Sequence, residues 1–227
     1  MKQILIVGGN SGVGKSLVAL EKVQNNLILF HRSEASFNEN NIAEYKLDVL
    51  QDELPDLESL DAIVYCPGSI NLKPFSRLSE EDFRDDFEIN VLGAIRVLKK
   101  YLTVLKKSEA PSVLLFSTVA VKVGMPFHTS VAASKGAVEG MVKSLAAEYA
   151  PKIRVNAIAP TLTDTALASK ILRNEKSKEM SAERHPLKRY LVPDEVAEMA
   201  SFLISDRGRS MSGQIVEMDC GITNLKV

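Results

Sequence analysis

Cysteine is scarce in this chain, and its two residues, Cys66 and Cys220, lie far apart at a spacing that matches no metal-ligand pattern. Neither a disulfide framework nor a metal site is therefore expected, and a reducing, cytoplasmic setting is the simplest reading. No apolar run approaches the ~18 residues of a membrane span. The stretch Ile4-Leu5-Ile6-Val7 behind Met1-Lys2-Gln3 is too short for a signal-peptide core. An excess of either charge is lacking too, with 28 Lys and Arg against 29 Asp and Glu for a formal net charge of −1. Nothing electrostatic points to nucleic acid. Internal repeats, low-complexity tracts and linker composition are missing as well, so 1–227 reads as one domain with one core.

What is present is an alternation of short apolar runs with longer helical patterns, the signature of βαβ units. Strands are expected at 3–7, 27–30, 44–47, 62–65, 112–116, 153–158 and 214–218. Most are continuously apolar, as strands covered on both faces must be. Helices are expected at 12–24, at 80–106 through Phe83, Phe87, Val91, Ile95, Leu98 and Leu102, at 132–149, and from Pro193 onward. Ser79 and Asp82 form a capping-box pattern before the second of these. Only 13 residues, from His31 to Ala43, join two presumed parallel strands, so that crossover is expected to be a turn or loop rather than a helix. The fold class is α/β, a doubly wound Rossmann-type domain with about seven parallel strands and helices on both faces.

The first strand runs directly into Gly8-Gly9-Asn10-Ser11-Gly12-Val13-Gly14 and then into the apolar Leu17-Val18. Glycines in this order between strand and helix let backbone N–H groups approach a phosphate, and the helix dipole favours its charge. At the end of the second strand, His31-Arg32-Ser33 offers a guanidinium fork and a hydroxyl where a ribose 2′-phosphate would lie. NADP(H) is therefore favoured over NAD(H). The same Arg32 is also compatible with a solvated loop residue.

The spacing Gly8-x3-Gly12-x-Gly14 resembles that of the short-chain dehydrogenase/reductase family, and the resemblance extends over nearly the whole chain. Asp48-Val49 is similar to the family's adenine-contacting pair, and the run ending in Gly68 aligns with its fourth strand end. Asn90 matches its active-site Asn, Thr118 falls at its catalytic Ser, and Ser134-Lys135 matches the end of its Tyr-x-x-Ser-Lys motif. The strand 154–160, ending in Pro160, looks like the one leading to its nicotinamide loop, where Thr165 would bond the carboxamide. Residues 161–192 occupy the place of its substrate-covering segment. The resemblance implies a hydride-transferring oxidoreductase acting on a small carbonyl or alcohol, and a homodimer or homotetramer built through the long helices.

One position departs from the pattern. The family's Tyr, four residues before the Lys, is Val131 here, and valine carries no proton to exchange. Asn90, Thr118 and Lys135 remain, so proton delivery is expected to be altered rather than abolished. His128 is one candidate substitute, while Ser130 or Thr118 can pass a proton through water to Lys135. His128 reads more simply as a solvated or capping loop residue. Tyr65 is read as packed in the sheet rather than as a relocated phenol. The basic residues of 161–192, including Lys170, Lys176, Lys178 and Arg189, suit either an anionic substrate or an ordinary solvated helix face. Two further functions stay open: a catalytically silent NADP(H)-binding sensor or partner-binding protein, and a non-redox elimination or hydration enzyme.

Overall fold

The computed structural model describes residues 1–34 and 37–226. Seven strands, β1 (Gln3–Val7), β2 (Asn26–His31), β3 (Ile42–Lys46), β4 (Ala62–Tyr65), β5 (Ser112–Phe116), β6 (Arg154–Pro160) and β7 (Ile215–Met218), form one sheet. Their order is β3-β2-β1-β4-β5-β6-β7, and every neighbouring pair is parallel. The direction of winding reverses between β1 and β4, where their carboxyl ends open a crevice. Strand period decides the layers: Leu5 and Val7 enter one apolar cluster, Ile4 and Ile6 the other.

Helices α1 (Gly12–Glu21) and α6 (Pro193–Ile204) cover the second cluster through Leu17, Val18, Val196, Ala197, Ala200 and Leu203. Helices α3 (Gly93–Leu105) and α4 (Thr129–Tyr149) cover the first through Val97, Leu98, Tyr101, Val138 and Val142. Arg154, at the start of β6, satisfies carbonyls left open at the end of α6, donating to Leu203 O at 2.7 Å and Gly208 O at 3.0 Å. No helix joins β2 to β3 among the described residues, as the short crossover implies; positions 35 and 36 of it lie outside them. A short helix that the sequence pattern did not indicate, α5 (Glu175–Glu183), sits inside the 161–192 segment.

The helix expected over 80–106 is not continuous. It divides into α2 (Glu80–Phe87), a π-turn over Glu88–Leu92, and α3. The expected capping box is present: Ser79 Oγ accepts from Asp82 N–H, and the Asp82 carboxylate accepts from Ser79 N–H at 2.9 Å. A π-turn inserts one residue, which rotates the segments on its two sides by about 100° relative to one another. The consequence corrects the expected apolar stripe, because Phe87 is exposed while Asp86 and Asn90 are buried.

Tyr65 fixes the π-turn from the sheet side. Its hydroxyl donates to the Ile89 carbonyl at 2.7 Å, and burial, with Asp48 nearby, pushes its phenol well above the usual range. Gly93 makes room for it, since a methyl group there would stand 2.1 Å from Tyr65 Oη. Gly93→Ala is expected to cost about 1–3 kcal/mol by overpacking, and Tyr65→Phe in the same chain should recover part of that loss. Urea unfolding of the two single variants and the double variant measures both.

Candidate active site

The glycine turn forms its cradle by contact of backbone with backbone. A methyl group on Gly14 would lie 2.3 Å from the Gly8 carbonyl oxygen, so no side chain fits there. Gly8 and Gly12 hold φ of +79° and +48°, which other residues adopt at a cost. At the start of α1, Ser11 makes no side-chain cap and no acid occupies the first turn. Its N–H groups and the positive end of the helix dipole thus face the crevice, an arrangement suited to a pyrophosphate. Val13 packs on the second core cluster behind the turn.

Around this cradle the structure gathers several of the expected residues. Asn10 donates from its amide to Ser33 Oγ, tying the glycine turn to the end of β2. Arg32 is largely exposed, with Nη1 4.0 Å from the Asp48 carboxylate. The loop carrying Arg32 and Ser33 is held from below, not left loose by the missing helix. Buried His31 contacts Glu44 through Nε2 at 2.7 Å and donates from Nδ1 to the Ser33 carbonyl at 3.0 Å. Asp48 also accepts from Leu50 N–H at 2.9 Å, and Arg96 donates to the Val49 carbonyl at 2.9 Å, shaping the adjacent turn. Across the crevice, Thr165 leans on the turn, its Cγ2 3.2 Å from where a Gly12 side chain would begin. Pro160 ends β6 paired with Met218.

The second group meets at the π-turn. Lys135, buried on α4, donates to the Phe116 carbonyl at 2.9 Å. A side chain on Gly68 would begin 3.5 Å from Lys135 Nζ and 3.4 Å from Asn90 Oδ1. Gly68, Asn90 and Lys135 therefore enclose one small space. The Asn90 amide donates to the Asp86 carbonyl at 2.7 Å, to Ser69 Oγ at 3.0 Å and to Ser134 Oγ at 3.1 Å. Its Oδ1 is buried with no partner. Burial lowers Lys135 to about 8, opposed by the negative charge of Asp86. Burial likewise pushes the Cys66 thiol up to about 12.

The remaining expected residues have other partners or none. Val131 is buried in the first turn of α4, four residues before Lys135. Thr118 caps a short turn by accepting from Ala120 N–H at 3.3 Å, and keeps its own proton to donate. His128 precedes α4, half-buried, and its Nδ1 donates to the Pro126 carbonyl at 2.8 Å rather than toward Lys135. Tyr65 packs in the sheet, as read from the sequence. In the 161–192 segment, Lys178 pairs with Glu175, Lys188 with Glu183, and Arg189 with Glu195. These local pairs favour the solvated-face reading over a site for an anionic substrate.

Two contacts went unnoticed in the sequence. Asp86 is one, a carboxylate on the helix face that periodicity placed outward. The other is a buried latch in which the Thr161 hydroxyl bonds His185 Nε2 at 2.7 Å while His185 Nδ1 donates to the Ser181 carbonyl at 2.8 Å. It joins the end of β6 to the segment that follows α5.

A doubly wound parallel sheet with a glycine cradle at its switch point defines an α/β dinucleotide-binding domain. Comparison with known proteins narrows the class. A family model described as enoyl-(acyl carrier protein) reductase matches residues 46–223. The 3-oxoacyl-(acyl-carrier-protein) reductase FabG of Thermotoga maritima is 30% identical over 250 aligned positions covering 97% of each chain. The 2,5-dichloro-2,5-cyclohexadiene-1,4-diol dehydrogenase of Sphingobium indicum is 28% identical over 98% of this chain and 97% of its own. Among solved structures, a short chain dehydrogenase family protein from Francisella tularensis superposes with a TM-score of 0.89 at 26% identity, covering 99% of this chain and 100% of that one. ElxO with NADP bound superposes with a TM-score of 0.88 at 25% identity, with 99% and 100% coverage. The chain belongs to the short-chain dehydrogenase/reductase family, whose members are NAD(P)-dependent oxidoreductases.

The latch gives a test of how residues 161–192 are held. Thr161→Val removes the donor and leaves a buried ring nitrogen without its partner, at an expected cost of about 1–3 kcal/mol. Limited proteolysis should show earlier cleavage within 161–192 in the variant than in the wild type.

Proposed function

We propose that this protein is an NAD(P)(H)-dependent oxidoreductase that interconverts a small carbonyl compound and its alcohol, prefers NADP(H), and delivers the proton from Lys135 in place of the absent phenol. The observation that carries this reading is the meeting of Gly68, Asn90 and Lys135, with a buried ammonium whose acidity lies near neutral pH. When bound, the nicotinamide supplies or accepts the hydride at its C4.

The chain's own residues do the rest. The N–H groups at the start of α1 hold the pyrophosphate, with Gly8, Gly12 and Gly14 admitting it. Arg32, Ser33 and Asn10 would hold a ribose 2′-phosphate, Asp48 and Val49 the adenine, and Pro160 and Thr165 the nicotinamide. ElxO, a structural relative, was solved with NADP, which supports a nicotinamide cofactor here. Thr118 donates a hydrogen bond to the substrate oxygen. In reduction, Lys135 gives that oxygen a proton, directly or through Ser130, Thr118 or a water, becomes a neutral amine, and is reprotonated from solvent. In oxidation the neutral amine takes the proton. His128, engaged with the Pro126 carbonyl through Nδ1, is the other candidate proton carrier. The exposed Phe87 and Leu92 on α2 and the π-turn offer an apolar face for a second copy, consistent with a homodimer or homotetramer.

A second reading, a protein that binds the dinucleotide without turnover, is favoured by one observation, the buried Val131 where a phenol would stand. Turnover separates the two.

Three measurements test the proposal. Lys135→Ala should lower NADPH-dependent carbonyl reduction roughly 10²–10⁴-fold, the usual worth of positioned acid–base help; equal rates would count against the role. Reduction needs the charged lysine, so its rate should fall as pH rises through about 8, whereas alcohol oxidation should rise through the same range. Titration should give tighter NADPH than NADH binding, with Arg32→Ala abolishing the difference.

A further inference from the structure

Asp86, one turn before Asn90, is almost wholly buried at 1% exposure. Its Oδ1 accepts from the Ser69 hydroxyl, and its Oδ2 has no partner. Among the described residues, the buried side-chain polar atoms without a partner are Asp86 Oδ2, Asn90 Oδ1 and Ser130 Oγ. Two of these belong to α2 and the π-turn, and the third to the first turn of α4, which packs against both. Leaving such an atom unsatisfied costs about 1–3 kcal/mol, and more for a charged group. A buried carboxylate with an open oxygen needs a compensating charge.

Lys135 is the one buried lysine or arginine among the described residues, and it stands on α4, which packs against α2. The groups that act on it are the charge of the Asp86 carboxylate from α2 and the Cys66 thiol after β4, the Phe116 carbonyl that it bonds, and Asn90 Oδ1 across Gly68. Since burial holds the thiol in its protonated form near neutral pH, Asp86 is the one among these that carries a full negative charge. The same carboxylate is tied through Ser69 to the Asn90 amide, so its place is set by the hydrogen bonds that set Asn90.

We propose that Asp86 is a positioning residue that keeps the buried Lys135 charged, and so able to give up a proton to substrate at neutral pH, a task created by the loss of the phenol at Val131. Asp86 touches neither substrate nor cofactor and acts through the lysine. The inference rests on the proton-delivery reading above, but its test does not depend on turnover.

The test compares wild type with Asp86→Asn, Asp86→Leu and Asp86→Glu by two readouts. One is the NMR titration of the Lys135 Nζ resonance in the cofactor-free protein, assigned with Lys135→Arg. The other is the pH profile of NADPH-dependent reduction. Removing an opposite charge within reach shifts a titration by about 1–3 units, so the Asn and Leu variants should titrate lower by about one unit or more, with the falling limb of the rate profile moving alongside. Asp86→Glu should stay close to wild type. Removing one partner of a buried pair costs stability; asparagine keeps the shape and the hydrogen bond from Ser69 and is the variant expected to stay folded, leucine is the second arm, and the titration of either folded variant suffices. An unchanged lysine titration in either variant overturns the proposal. Absence of turnover in wild type with a lowered lysine titration in the variants would sink the oxidoreductase reading while upholding Asp86's hold on Lys135.

Discussion

The site depends on keeping one ammonium group out of water. Moving a cation into a protein interior costs several kcal/mol even after relaxation, and here Lys135 has a single hydrogen bond, to the Phe116 carbonyl, to offset it. The remaining compensation is electrostatic and comes from α2. The position of α2 in turn depends on the π-turn, which is fastened to the sheet by Tyr65 and made possible by Gly93. A residue on a central strand thus sets where the lysine's counter-charge stands, and the fold and the proton chemistry share the same contacts.

That arrangement keeps Asn90 and Lys135 in one network although position 131 is a valine. The Asn90 amide nitrogen is engaged by the Asp86 carbonyl, Ser69 and Ser134, while its Oδ1 is left toward Gly68. The glycine cradle is built from the turn between β1 and α1, by contact of Gly14 with Gly8, whereas Lys135 and Val131 stand on α4.

Much of this was legible in the sequence. The seven strands follow from apolar runs bounded by turn residues, and the short crossover after His31 was visible because 13 residues hold no useful helix. The cradle was readable because glycine spacing records where a Cβ cannot go. Asn90 and Lys135 were found by resemblance, and Val131 by the gap in it. Asp86 was not legible. Helical periodicity through Phe83, Phe87 and Val91 assigned it to solvent, and periodicity assumes 3.6 residues per turn throughout. The π-turn breaks that assumption by one residue, and its determinants, the Tyr65 hydroxyl and the missing side chain of Gly93, are 28 residues apart in sequence. The Thr161–His185 latch was hidden for the same reason, since it is a contact across the fold.

The account stands or falls on whether a hydride crosses this cleft. The direct measurement is to incubate the wild-type protein with NADPH deuterated at C4 and a panel of small aldehydes and ketones, then examine the products by mass spectrometry. The account predicts an alcohol carrying deuterium on its carbinol carbon. Tight NADPH binding with no label transferred to any member of the panel would contradict it.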